Sequence, residues 1–174
     1  MTRVAGLALL GALAALLVLN VFTIAEHGSE LRPHGAGDAA PDIALRPLDP
    51  AGPKSLAQLH GHVVLVDFWA TWCGPCRMTM PALQKVYEKY KDRGLEVVSV
   101  NIENDAVRAS SFAAGFKPKL TFPLFVDAGP AQAAFRVDAI PHLVLIDKDG
   151  RIAFVHVGGL SADDLDERVG DLVK

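Results

Sequence analysis

Val63-Val64-Leu65-Val66-Asp67-Phe68-Trp69 runs directly into Ala70-Thr71-Trp72-Cys73-Gly74-Pro75-Cys76-Arg77, joining a strong strand signal to the only two cysteines among 174 residues. The first seven residues are apolar and rich in β-branching except at Asp67, the signature of a short buried strand. After the motif, Met80, Leu83, Val86, Tyr87 and Tyr90 recur at helical spacing. A helix is therefore expected over 74–92, bent near Pro81, where the ring removes a backbone donor. Strand, tight turn, CxxC and helix form the context in which two thiols signify redox chemistry rather than zinc. A structural zinc needs about four ligands, and no second CxxC or nearby HxxxH supplies them, so no metal site is expected. A disulfide across two intervening residues closes almost no loop, so chain entropy gives it little stabilising role. The pair is there to react.

The second strong signal lies at the N-terminus. Val4 to Ala25 is uncharged and almost wholly apolar, and as a helix it would extend about 33 Å, the scale of a hydrocarbon core. Arg3 precedes it, whereas Glu26 and Glu30 follow, which sets the N-terminus in the cytoplasm and the rest of the chain on the far side. A cleaved secretory signal is the rival reading, but its apolar region usually runs only about 7 to 15 residues. The expectation is a signal anchor over 1–25, a flexible linker over 26–40 rich in Gly, Ala and Pro, and one compact domain over 41–174. Catalysis would then occur on the periplasmic side of a cell inner membrane.

Net charge is −3, with 17 basic and 20 acidic side chains, and the anchor contains only one of the basic ones. No basic stripe interleaved with aromatics is present, so no nucleic acid partner is expected. Further along, a first short strand is expected at Asp42 to Leu48 and a helical or irregular piece at Ser55 to His60. A strand at Leu95 to Ile102 follows, then a helix from Asp105 to Phe116 with Val107, Phe112 and Ala113 inward. Phe122 to Val126 reads as a strand and Pro130 to Phe135 as a short helix. His142 to Asp147 and Arg151 to Val157 read as a hairpin around Asp147-Lys148-Asp149-Gly150. Ser161 is placed to cap a last amphipathic helix with Asp163 and Asp164 in its first turn. This alternation predicts an α/β domain, a mixed sheet covered by helices on both faces.

Taken together, these motifs resemble the thioredoxin superfamily, and within it the membrane-anchored TlpA/ResA-like branch. The resemblance covers roughly residues 40–174. It rests on Val66 to Arg77, on Pro81 five residues past Cys76, on Ala139-Ile140-Pro141, and on 101–127 as an added strand and helix. It implies a thioredoxin-like fold, a cis Pro141 facing the disulfide, and a thiol–disulfide oxidoreductase without cofactor beyond Cys73–Cys76. It also implies protein disulfide substrates, as in cytochrome c or copper-site maturation. The departures are Thr79, where many relatives carry a glutamate; Ser99, where plain thioredoxin has a lysine beside its buried aspartate; and His142, where threonine is common.

The roles follow. At a helix N-terminus, Cys73 gains a stabilised thiolate from the dipole and free N–H groups. It attacks a substrate disulfide, and the more buried Cys76 resolves the mixed disulfide. Asp67, desolvated in its strand, is the expected base for Cys76, against the alternative of a strand-end carboxylate in solvent. Gly74 and Pro75 form the turn, Trp72 supplies an apolar rim, and Trp69 belongs to the core. Ile140 offers backbone groups to an extended substrate chain beside Pro141. His142 either perturbs nearby titration or is a solvated strand residue. His27, His34, His60 and His62, without ligand spacing, read as surface residues. The Gly-Pro dipeptide favours a reductase, which outside the cytoplasm needs a membrane electron donor. A net oxidase uses the same residues, a Cu(I) carrier would use the same thiolates, and a peroxidase lacks its Pro-x-x-x-Thr-x-x-Cys setting.

Overall fold

The computed structural model describes residues 12–23, 34–127, 129 and 131–174. The chain divides into two compact units, Met1–Pro33 and His34–Lys174. In the first, residues 12–23 are a helix (α1) whose Leu13, Leu16, Leu17, Leu19, Val21 and Phe22 side chains are exposed. The rest of the expected 4–25 span lies outside the described residues. Among the described residues no helix is long and apolar enough to cross a membrane.

The second unit is built on a six-stranded sheet ordered β1-β4-β3-β2-β5-β6. Its strands are Arg46–Pro47 (β1), Val63–Trp69 (β2), Leu95–Asn101 (β3), Leu124–Val126 (β4), His142–Ile146 (β5) and Ile152–Val157 (β6). β2, β3 and β4 run parallel, while β1, β5 and β6 each pair antiparallel to their neighbours. The helices are Gly74–Tyr90 (α2), Ala106–Ala114 (α3), Ala131–Ala134 (α4) and Ala162–Leu172 (α5). This is the expected mixed α/β sheet.

Every residue of β2 is buried, because both faces of a central strand are covered. Alternation sends Val63, Leu65 and Trp69 into one core with Met80, Leu83 and Val86 of α2 and Leu165 and Val169 of α5. Val64, Val66 and Phe68 enter the other core, with Ile43, Leu56, Phe125 and Phe135. Lys89 clamps α2 to α5 through Asp166 at 2.6 Å. Ser161 caps α5 in a reciprocal capping box with Asp164. α2 ends in a 3₁₀ turn, Lys91–Arg93, closed by Gly94 at φ 92°, a conformation that costs glycine little. Pro81 lies inside α2.

Three expectations are corrected. The first strand is only Arg46–Pro47, not 42–48: Ala44 bridges Ser55 instead of continuing along the sheet edge. The spacer expected to reach residue 40 is shorter. The Gly37 N–H donates to the Ile152 carbonyl at 2.8 Å and Ala40 N–H to the Gly150 carbonyl at 2.9 Å, so these residues line β6; residues 26–33 lie outside the described residues. Val107 is not inward but 78 % exposed. α3 instead buries Ala109 and Ala113, and Phe112 packs against the core edge.

Candidate active site

The turn after β2 makes Cys73 the N-cap of α2, with φ −81° and ψ 104°. Its sulfur accepts the Cys76 backbone N–H at 3.2 Å. One helical turn separates the two residues, their Cα atoms lie 5.3 Å apart, and they are joined as a disulfide. Gly74 and Pro75 occupy the first helical positions, where proline forfeits no intrahelical bond. Cys73 is 4 % exposed and Cys76 1 %, so both residues are buried, the second more completely. Trp72, at 69 % exposed, stands beside Cys73, and Gly74 and Pro75 are also exposed. The Cys76 N–H and the positive end of α2 are thus directed at the Cys73 sulfur.

Asp67 is the buried charge of the site, 1 % exposed. Strand register sets it opposite Ser99 of β3 and Leu143 of β5. It shares its face with Leu65 and Trp69, the face covered by α2 and containing Cys76. Burial pushes its pKa up to about 7, opposed by the Ser99 hydroxyl, which donates to Oδ2 at 3.0 Å. Ser99, not lysine, stands at this register position, and among the described residues no buried cation faces the carboxylate to hold it ionised.

The Ile140–Pro141 peptide bond is cis. His142 pairs with Phe68, so one further step of that register sets Pro141 level with Trp69, at the end of β2 from which the cysteine turn leaves. Ile140 is half-buried and Pro141 buried. His142 does not join the dithiol, nor is it solvated. It is 6 % exposed on the sheet face opposite Asp67, edge-on to Phe68 at 6.0 Å. Burial lowers its pKa, and the Asp138 charge works against that. Thr79 is buried, and its hydroxyl donates back to the Pro75 carbonyl at 3.2 Å. His60 and His62 are exposed, while His34 is half-buried with its Nε2 against the Ala134 carbonyl at 2.8 Å.

One residue escaped sequence reasoning. Glu103, just beyond β3, accepts from the Thr71 backbone N–H at 2.5 Å and the Thr71 hydroxyl at 3.0 Å. Asn101 Nδ2 and Arg108 also donate to it, at 3.2 Å each. Burial acts to raise its pKa, but the Thr71 and Asn101 hydrogen bonds and the Arg108 charge outweigh that and lower it. An ionised Glu103 thus pins the chain two residues before Cys73. Its signal was a carboxylate at a strand end, too common to single out. Among the described residues, no group of three or more His, Cys, Asp or Glu is placed to hold a metal.

A redox disulfide capping a helix on a thioredoxin-like sheet defines a thiol–disulfide oxidoreductase. Residues 35–171 match the Redoxin family, and the chain belongs to it. It is 36 % identical over 137 residues to the thioredoxin-like protein YneN of Bacillus subtilis, covering 76 % of this chain and 78 % of that one. It is 31 % identical over 164 residues to the thiol-disulfide oxidoreductase ResA of Geobacillus kaustophilus, covering 94 % and 89 %. Among solved structures, a putative thiol:disulfide interchange protein DsbE from Chlorobium tepidum superposes with a TM-score of 0.73 at 34 % identity, covering 81 % and 99 %.

Proposed function

We propose that this oxidoreductase is anchored by residues 4–25, faces the extracytoplasmic side of the membrane, and reduces disulfides in exported proteins. The observation that carries the reading is the Cys73–Cys76 pair at the α2 N-cap with Asp67 on the same buried face. The apolar run of the N-terminus and the exposed leucines of α1 support the anchor. In the reduced enzyme the Cys73 thiolate attacks one substrate sulfur, forms a mixed disulfide, and expels the other as a thiolate. Cys76 then loses its proton to Asp67, whose raised pKa matches that task at neutral pH. The Cys76 thiolate attacks Cys73 and frees the second substrate thiolate, leaving the enzyme oxidised and the substrate reduced by two electrons. A membrane dithiol donor restores Cys73 and Cys76. No cofactor beyond the disulfide enters these steps. Trp72, Gly74 and Pro75 form the rim that receives substrate, and the Ile140 backbone beside Pro141 pairs with its extended chain. Apocytochrome c or copper-site cysteines are substrates of this chemical kind.

Insulin turnover with dithiothreitol tests the reading. The wild-type chain is expected to accelerate reduction and Cys73→Ser to lose that acceleration entirely. Equal rates for the two would end it. An equilibrium potential of the pair measured against glutathione assigns the direction of net flow.

A further inference from the structure

In the first turns of α2, one residue past Cys76, Arg77 lines a cleft of about 290 Å³ together with Phe112, Gly115, Phe116 and Lys117. Arg77 directly follows Cys76, and its backbone N–H donates to the Cys73 carbonyl at 3.3 Å. Its guanidinium lies over the Phe112 ring, 4.9 Å from the centroid. Phe112 in turn stacks on Trp69 at 5.3 Å and meets Phe116 edge-on at 5.4 Å. The guanidinium is therefore held by one face, leaving its N–H edge free for a second partner.

The lining of this cleft holds two cations and no carboxylate. In this acidic chain, Lys85, Lys89, Lys91, Arg108 and Lys174 each sit within ion-pair distance of a carboxylate, whereas other exposed cations, Arg93 and Lys119 among them, do not. Among the described residues neither Arg77 nor Lys117 has one, although both are exposed. Glu103, on the approach to α3, is already occupied by Thr71, Asn101 and Arg108. Arg77 over its aromatic floor, with Lys117 in the same lining, matches a carboxylate on a short side chain, which Arg engages through two parallel hydrogen bonds.

We propose that this cleft is a docking subsite for an acidic side chain lying a few residues from the reacting cysteine of the protein substrate. The proposal rests on the protein-disulfide reading above and adds a selectivity to it. Its test uses the full-length chain in detergent, reduced with dithiothreitol and desalted. Single-turnover rate constants are measured with three disulfide-looped peptides identical except for Glu, Gln or Lys beside the cysteine. Any effect of Arg77 on Cys73 itself is common to all three peptides and cancels in their ratio.

The Glu peptide is expected to react roughly threefold to tenfold faster than the Lys peptide at low ionic strength, the range of one or two exposed ion pairs. The ratio should fall below about twofold in 1 M salt, where screening reaches about 3 Å. Arg77→Glu with Lys117→Glu is expected to reverse the order. Should that double variant not fold, Lys117→Glu alone is expected to lower the ratio. Equal rates for the three peptides in the wild type, or an order untouched by charge reversal, would overturn the proposal while leaving exchange intact. If none of the three peptides reacts with the wild type, the exchange reading falls first and the subsite with it.

Discussion

Replacing Asp67 by Asn asks whether a carboxyl buried at 1 % exposure without a cationic partner governs the pH dependence of stability. Its pKa is about 7 in the fold against an ordinary 3.8. Between those values the native state keeps a proton that the unfolded chain has lost, so stability falls as pH rises, by about 1.4 kcal/mol per unit. Below 3.8 both states are protonated and the contribution is fully present; above 7 both are ionised and the loss is complete, about 4 kcal/mol in all. From pH 5 to pH 8 the same linkage gives roughly 2 to 3 kcal/mol. Asn keeps the acceptor for Ser99 and cannot ionise. Its new N–H groups carry a cost that does not vary with pH, so the slope is the readout rather than the absolute stability. Urea unfolding of the oxidised proteins at both pH values, where neither cysteine titrates, measures it. The wild type should lose roughly 2 to 3 kcal/mol more than Asp67→Asn between pH 5 and pH 8. Equal losses in the two proteins would show that the carboxyl is hydrated, and would remove the base assigned to Cys76.

Glu103→Ala should destabilise the domain by about 1 to 3 kcal/mol, because the Thr71 N–H loses a charged acceptor; Glu103→Gln should recover part of this, read by thermal or urea unfolding. Leu83→Ala in the α2 core should cost about 2 to 5 kcal/mol, whereas Val107→Ala should stay within about 0.5 kcal/mol because that side chain is 78 % exposed. A large loss at Val107 would mean that α3 presents a different face to the sheet.

The elements legible from sequence were those whose causes are local. Ser161 with Asp164 three residues on is a cap whatever surrounds it. The run Val63–Trp69 read as a buried strand because it is short, apolar and rich in β-branching, and the fold covers it on both sides. Val107 was misplaced because α3 is short and offers several apolar stripes; contact with the sheet chose Ala109 and Ala113. The sheet edge was equally open to error, since its extent depends on which partner a segment meets. Ala44 met Ser55.

Sequence alone determined the reactive centre, because a CxxC between a buried strand and a helix places two sulfurs one turn apart through covalent spacing. It also marked Asp67, as the one charge inside an apolar strand. Only the tertiary structure decided what surrounds them. Register between strands distant in sequence brought Ser99 to Asp67, carried Glu103 across 32 positions to Thr71, and turned His142 to the opposite sheet face. Packing of α3 against the start of α2 gathered Arg77, Phe112 and Lys117 around one cleft. Local patterns set which groups can react; long-range burial and pairing set their protonation, their reach and the company a substrate would meet.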